Sequence, residues 1–151
     1  MDLVQMLKRC EVFVGLDDND LQKIADLPSW QKCTYEQGER VFSDKDKATH
    51  FYILEEGEIR LVVTIHNEKA HEVTEVPVDT ITKGDIFGWS SLVPPYSLTM
   101  AAICTKQSTV LAVDGTELNS LMDGNQSLGY EVMKGLVRII SARLRDLLAW
   151  I

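Results

Sequence analysis

The feature that most limits the fold is a series of short β-type runs in the middle of the chain. From Trp30 onward the runs RVF, HFYIL, EIRLVVTI, HEVTEV, DTITKGDIFG and STVLAVD follow one another. They recur at intervals of about eight to twelve residues, a spacing typical of an antiparallel sandwich or barrel and not of βαβ units. Polar glycine-containing stretches, EQGE and EEGE, separate some of them, and Gly57 in the second is expected at positive φ in a hairpin turn.

Helical patterns precede these runs. Apolar periodicity predicts a short amphipathic helix over residues 3–13. A second helix is predicted over residues 18–27, because aspartates suited to N-capping precede Leu21 and Ile24, and Pro28 ends the pattern. The chain is therefore divided into a helical segment over 1–28, a β-roll over 29–114 and C-terminal helices over 115–151.

The C-terminal part predicts a short helix capped by Asp114 or Thr116, then a helix of about 25 residues capped by Asn125 or Ser127. The long helix carries two apolar rows, one of which is an a/d heptad seam. The seam consists of Met133, Val137, Ile140, Leu144, Leu147 and Ile151. The second row consists of Val132, Leu136 and Ile139. One row can pack on the β-roll, which favours a parallel homodimer through the seam; the alternative is that the whole stripe packs back on the β-roll.

Composition limits the partners. The chain has 15 Lys and Arg residues against 23 Asp and Glu, a net charge of -8, which disfavours broad contact with nucleic acid or an anionic membrane. The three cysteines are far apart and form no C-x-x-C pair, so reduced thiols are expected. No apolar run approaches the ~20 residues of a membrane span. These features favour a cytoplasmic protein.

One stretch, ITKGDIFGWSSLVPPYSLTMAA at residues 81–102, has the composition of an anion-binding loop. Glycines precede a short apolar helix start, and two prolines and several hydroxyl side chains follow. Yet residues 84–102 contain no Arg, Lys or His. An anion bound there would have only backbone N–H groups and hydroxyls as partners.

The order of these segments resembles the cyclic-nucleotide-binding domain of the catabolite-activator superfamily of regulators. The resemblance covers about residues 12–150. It is carried by LQKIA, YEQGERVF and ATHFYILEEGEIRLVV within residues 21–63, by KGDIFG at 83–88 and by STVLAVD at 108–114. It implies a mainly β fold with flanking helices: a double-stranded β-helix, or jelly-roll-like β-roll, with N-terminal helices and a long C-terminal helix. The sequence has no Ser–His–Asp pattern, P-loop or G-x-G-x-x-G motif that would indicate an enzyme. The leading hypothesis is therefore a stand-alone, non-enzymatic regulatory or sensor module.

By this resemblance residues 81–102 correspond to the family's phosphate-binding cassette, with Gly84 and Gly88 forming its turn. The family has a Glu that takes the ribose hydroxyl where this chain has Trp89. The family also has an Arg that pairs with the phosphate. In this chain the position of that Arg falls at Tyr96, Ser97 or Leu98, and Ser97 is the favoured alignment. Lys45 also stands where the family usually has Gly.

These departures lower the expected affinity for a cyclic nucleotide. A guanidinium gives a phosphate two parallel charge-assisted hydrogen bonds. Leaving a desolvated anion without its counter-charge costs about 2–5 kcal/mol. At ~1.4 kcal/mol per factor of ten, the loss is roughly 30-fold to several-thousand-fold. Tight binding of cyclic AMP or cyclic GMP is therefore not expected.

Three hypotheses for the cassette remain open. Trp89 fills the pocket and the serines only cap a short helix; or an unidentified small ligand binds there; or a cyclic nucleotide binds weakly. A cation reaching in from elsewhere, such as Arg60 or Lys83, would change the balance among the three. The candidate ligand-binding residues are Gly88, Trp89, Ser90, Ser91, Ser97, Leu98 and Thr99. No cofactor is indicated.

Two alternative functions are weighed against the sensor module. The chain could be the ligand-sensing part of a truncated transcription regulator, in which a helix-turn-helix domain follows the long helix; as given, no direct contact with nucleic acid is expected. A cupin-like metalloenzyme would use histidines, but His50 stands alone and His66 and His71 flank a polar loop. No catalytic or metal site is predicted.

Overall fold

Eight antiparallel strands form two facing four-stranded sheets in the computed structural model, which describes residues 2–151. The first sheet has the order β1-β8-β3-β6 and the second β2-β7-β4-β5. The strands are β1 Gln31–Tyr35, β2 Arg40–Phe42, β3 His50–Glu56, β4 Ile59–Asn67, β5 Glu72–Ile81, β6 Ile86–Phe87, β7 Ala101–Cys104 and β8 Ser108–Asp114. The predicted mainly β fold with flanking helices is confirmed.

The strands differ in detail from the runs seen in the sequence. β1 and β7 were not among those runs, and two predicted runs join into the single ten-residue strand β5. Pro77 lies within β5 and is tolerated there, because β5 is at the edge of its sheet and the register with β4 shifts beside it. Gly57 has φ 108°, as the predicted hairpin turn requires.

Within residues 2–151, four α-helices flank the strands: α1 Leu3–Lys8, α2 Asp18–Ala25, α3 Gly115–Gly124 and α4 Gln126–Leu148. Side chains of Asp17, Asp114 and Asn125 cap α2, α3 and α4 by accepting backbone N–H groups. The single helix predicted over 3–13 is wrong: α1 ends at Lys8, and a separate 3-10 helix covers Glu11–Phe13. Cys10, between them, has an extended backbone, and the break turns Val12 and Phe13 into the core.

Two apolar cores result. The first lies between the two sheets and contains Leu54, Ile59 and Phe87. The second lies between the outer face of the first sheet and the helices, where Phe51 and Val113 meet Leu128 and Val132. The β-roll is thus packed on both faces of one sheet, and α4 is part of the second core.

α4 crosses the chain's N-terminal segment at Gly135. A Cβ atom placed on Gly135 would lie 2.2 Å from the backbone oxygen of Val12 and 2.9 Å from its carbonyl carbon. Both neighbours are backbone atoms, which cannot move aside as a flexible side chain can. Glycine at this position therefore permits the close packing of α4 on residues 11–13.

We expect Gly135→Ala to destabilise the protein by about 1–3 kcal/mol, the usual effect of inserting a methyl group into a well-packed site. Equilibrium urea denaturation measures this difference. Gly124→Ala is the matched control, since no heavy atom lies within 4 Å of a Cβ at that helix end. Equal midpoints for the two variants would contradict the close approach at Gly135.

Candidate functional site

The cassette, residues 81–102, makes the turn that the sequence predicts. Gly84 and Gly88 have φ angles of 89° and 76°, and a four-residue 3-10 helix, Trp89–Leu92, follows. A Cβ on Gly88 would lie 2.7 Å from Cδ2 of Tyr52 and 3.0 Å from the backbone oxygen of His50. Both the left-handed backbone and the close contact with β3 therefore require glycine at position 88.

The space inside the cassette is almost completely filled. The cavity there has a volume of about 10 Å³. This is near the minimum for a single water molecule, whereas pockets for drug-sized ligands occupy about 300–1,000 Å³. Its lining residues are Phe42, Leu61, Gly88, Trp89, Ser90, Leu98, Thr99 and Met100. A cyclic nucleotide does not fit this conformation of the cassette.

The candidate ligand-binding residues do not all face this cavity. Five of the seven line it: Gly88, Trp89, Ser90, Leu98 and Thr99. Ser91 is buried and donates its hydroxyl to the backbone oxygen of Gly88 at 2.9 Å, so it stabilises the turn. Ser97 is exposed, forms an isolated β-bridge with Lys47 and does not line the cavity.

Neither of the cations considered from the sequence reaches the cavity. Arg60 is an exposed residue of β4, and Lys83 is exposed in the turn before β6. The lining residues found in the described chain include no Lys, Arg or His. Lys45 has φ 69°, so the left-handed backbone that usually favours Gly is present there with a lysine.

Trp89 instead contacts a cation outside the cavity. The guanidinium carbon of Arg143, on α4, lies 4.8 Å from the centroid of the Trp89 ring, within cation–π range. The same guanidinium forms an ion pair with Asp79 of β5, Nε to Oδ2 at 2.6 Å, and donates to the backbone oxygen of Ile86 at 2.8 Å. One side chain of α4 therefore contacts β5, β6 and the cassette together.

Arg143 was not among the site residues predicted from the sequence. It follows Ile139 by four residues and so continues the apolar row of Val132 and Leu136 that faces the β-roll. A cation on a buried helix face requires a partner. That rule could have marked the position, although it could not have identified Asp79, about sixty residues earlier in the chain.

Burial determines the pKa shifts around the site. Desolvation lowers the pKa of Arg143, and the nearby carboxylates of Asp79 and Asp85 oppose that shift. Its Nη1 atom is buried without a hydrogen-bond partner. Burial also raises the pKa of Tyr52 to about 12 and that of Cys10 to about 12, so that thiol stays protonated at neutral pH.

Within residues 2–151, no group of three or more His, Cys, Asp or Glu side chains is arranged to hold a metal ion. His50 is hydrogen-bonded through Nδ1 to the hydroxyl of Thr49 at 2.8 Å. The cupin-like alternative has no candidate ligand set among these residues. No helix in the same part of the chain is long and apolar enough to cross a bilayer.

Two facing antiparallel sheets, a glycine-bounded cassette and a long C-terminal helix define the class of this protein as a β-roll of the cyclic-nucleotide-binding type. The family model for the cyclic nucleotide-binding domain matches residues 32–125, and the chain belongs to this family. The family is regulatory rather than catalytic. No curated protein matches the chain significantly.

Solved structures share the fold. A protein described as cyclic nucleotide-binding from Geobacter metallireducens is 28% identical, with a TM-score of 0.76, over 95% of this chain and 99% of that one. The catabolite activator protein of Thermus thermophilus is 21% identical, with a TM-score of 0.69, over 91% of this chain and 59% of that one.

A third structure is a regulatory subunit of a cAMP-independent protein kinase A from Trypanosoma brucei, a triple mutant bound to cAMP in its A site. It is 18% identical, with a TM-score of 0.72, over 90% of this chain and 45% of that one. At this identity the likeness concerns the fold alone.

Proposed function

We propose that this protein is a non-enzymatic regulatory module that does not bind cyclic AMP or cyclic GMP tightly. The observation that carries the proposal is the filled cassette, whose cavity of about 10 Å³ is lined mainly by apolar side chains. A nucleotide would have to displace Trp89 and the residues packed around it, and its phosphate would find no cationic side chain among the lining residues.

A substitution in a structural relative is consistent with this argument. The trypanosomal subunit is described as cAMP-independent, and the form with cAMP in its A site is a triple mutant that includes a threonine-to-arginine change. The chemistry fits the expectation that a guanidinium contributes strongly to binding a phosphate. In this chain the corresponding hypothesis is that Ser97 stands where the arginine would be.

Isothermal titration with cyclic AMP and with cyclic GMP tests the proposal. We expect no saturable heat at millimolar nucleotide, because the anion lacks a counter-charge and the cavity lacks space. Binding of either nucleotide at micromolar affinity would overturn the proposal. The double variant Trp89→Glu with Ser97→Arg tests the alignment of the two positions, since a gain of nucleotide binding would support it.

We also infer that the module is a homodimer through the seam of α4. Val137 and Leu144 are 63% and 54% exposed in the single chain, and Ile151 is fully exposed. In the second apolar row, Val132 and Leu136 are buried in the second core, between the first sheet and the helices. Within the seam, Met133 is partly packed against the same core, whereas Val137, Leu144 and Leu147 are exposed and open to a second copy.

The proposed signal is the position of α4 relative to the β-roll. In a two-state module, a ligand or partner changes the output only by preferring one position of the helix over the other. The cytoplasm is the expected location, and a small molecule of unidentified chemistry remains the candidate ligand for a state in which the cassette is open.

A further inference from the structure

The contacts of Arg143 connect α4 to the β-roll and its cassette. These are the two parts of the molecule that would move relative to each other in the proposed two-state module. Its guanidinium lies between β5, β6 and the cassette on one side and α4 on the other. The Arg143 side chain is only 15% exposed. The contact is thus a largely buried anchor of α4, and not a surface ion pair of the kind that contributes little.

The partners of the guanidinium come from three secondary-structure elements, two of which, β6 and the 3-10 helix Trp89–Leu92, lie within the cassette. Asp79 supplies charge from β5, Ile86 supplies a backbone oxygen from β6, and Trp89 supplies an aromatic face from the cassette. A shift of α4 by one helical turn, about 5.4 Å, would break all three contacts together. The contacts therefore distinguish one position of the helix from all others.

We propose that Arg143, Asp79 and Trp89 form a latch that fixes α4 against the β-roll without any ligand. Trp89 occupies the position where the resemblance places the ribose-binding Glu, yet it contacts the helix. Side chains of the protein, and not a bound ligand, thus connect the cassette to α4. A buried ion pair suits this role because it specifies one geometry more than it adds stability.

The guanidinium of Arg143 also has space beside it into which it could move away from Asp79. A cavity of about 160 Å³ lies beside Arg143 and is lined in addition by Glu11, Asp85 and Asp146. It is polar and large enough for several water molecules, which could solvate the unpaired Nη1. The carboxylates of Asp85 and Asp146 offer alternative partners for the guanidinium, so release from Asp79 need not leave a bare buried charge.

Amide hydrogen exchange of the full chain, without nucleotide, tests the latch. We expect Arg143→Met to raise exchange rates on the order of tenfold or more both in residues 84–92 of the cassette and in residues 139–148 of the helix. Strands β3 and β8 serve as the internal reference and are expected to keep their protection. Asp79→Asn is expected to raise exchange in the same two segments by a smaller factor, because it removes the ion pair while Asp85 and Asp146 remain as alternative partners of the guanidinium.

Arg145→Met is the matched control, since Arg145 is an exposed residue of the same helix, and it is expected to leave both segments unchanged. A rise confined to α4, a rise equal to that of β3 and β8, or no rise would each overturn the latch. The inference extends the proposed module but does not depend on the dimer. Repeating the comparison in a Val137→Asp background shows this, because the exchange pattern must persist when the seam is disrupted.

Discussion

We expect Leu144→Asp to convert the protein from a dimer into a monomer. Leu144 is 54% exposed in the single chain, so the dimer can bury about half of this side chain, which contributes about 1–1.5 kcal/mol, and a two-fold interface contains the residue twice. A loss of about 2–3 kcal/mol corresponds to a dissociation constant roughly 30- to 200-fold higher, before the cost of desolvating two carboxylates. Val137→Asp, two turns earlier in the same seam, is expected to act in the same direction.

The charge pattern of α4 allows two copies to associate along the seam. With Val137 and Leu144 at a positions, the flanking e and g positions hold Lys134, Ser141, Leu148, Gly129, Leu136, Arg143 and Trp150. None of these is acidic, although the chain has a net charge of -8. Repulsion between acidic side chains therefore does not oppose the association of two copies along this helix.

Sedimentation equilibrium at micromolar concentration measures the result. The wild-type protein is expected at twice the 17.0 kDa of the chain, and the seam variants at the mass of one chain. Ala149→Asp introduces the same charge at the C-cap of α4, at a position outside the seam, and is expected to remain dimeric. A monomeric wild-type protein, or a Leu144→Asp variant as dimeric as wild type, would exclude this interface.

A cysteine in the seam tests the helix direction. In a symmetric parallel pair each d position meets its own copy, so oxidised Leu147→Cys is expected to form a cross-linked dimer. An antiparallel pair would separate the two positions and give no such product. Of the native thiols, Cys10 and Cys104 are buried, and the partly exposed Cys33 is replaced by Ser in this experiment.

Most of the fold could be predicted because its features are local in the sequence. The spacing of the β-type runs indicates a β-roll, and Gly57, Gly84 and Gly88 have the left-handed backbone expected in turns. β7 could not be predicted from the sequence, because Ala101 and Ala102 are small and give no apolar alternation. Both are nevertheless fully buried between neighbouring strands. Short strands of this kind are defined by their partners, and the partners are distant in the chain.

Whether the cavity in the cassette is open or filled was harder to predict from the sequence. The absence of a cation between residues 84 and 102 shows that a phosphate lacks its usual partner, but it does not show whether the cavity is open. That depends on where Phe42, Leu61 and Met100 place their side chains, and these residues come from three separate segments. The contact of Trp89 with Arg143 also joins residues that no local pattern connects.

The second large effect is expected at Phe87, the last residue of β6 and the anchor of the cassette in the core. Its ring is fully buried, stacks on Tyr52 with centroids 5.0 Å apart and lies 6.0 Å from the centroid of Phe42. We expect Phe87→Ala to lower the free energy of unfolding by about 3–5 kcal/mol, because it removes apolar burial and leaves a cavity. That is a large part of the ~5–15 kcal/mol typical of a domain.

The pKa of Tyr52 provides a second measurement of the packing that Phe87→Ala removes. Burial raises the pKa of Tyr52 to about 12, so the folded state holds this proton at pH values where the unfolded chain has lost it. Stability is therefore fully present below about pH 10, the ordinary pKa of tyrosine, and is lost as the pH rises toward 12. Opening the space beside Tyr52 is expected to lower its pKa and weaken this dependence, which ultraviolet titration of tyrosinate can follow.

Two variants separate packing at Phe87 from a general effect of losing an aromatic ring in the cassette. Phe87→Leu keeps an apolar side chain at the site and is expected to cost less than Phe87→Ala, because a smaller cavity remains. Tyr96→Ala removes a 39% exposed ring from the same cassette and is expected to change stability by about 0.5 kcal/mol or less. If guanidinium denaturation gave Phe87→Ala and Tyr96→Ala the same midpoint, Phe87 could not be the anchor, because the cassette would then hold its position without the ring stacked on Tyr52.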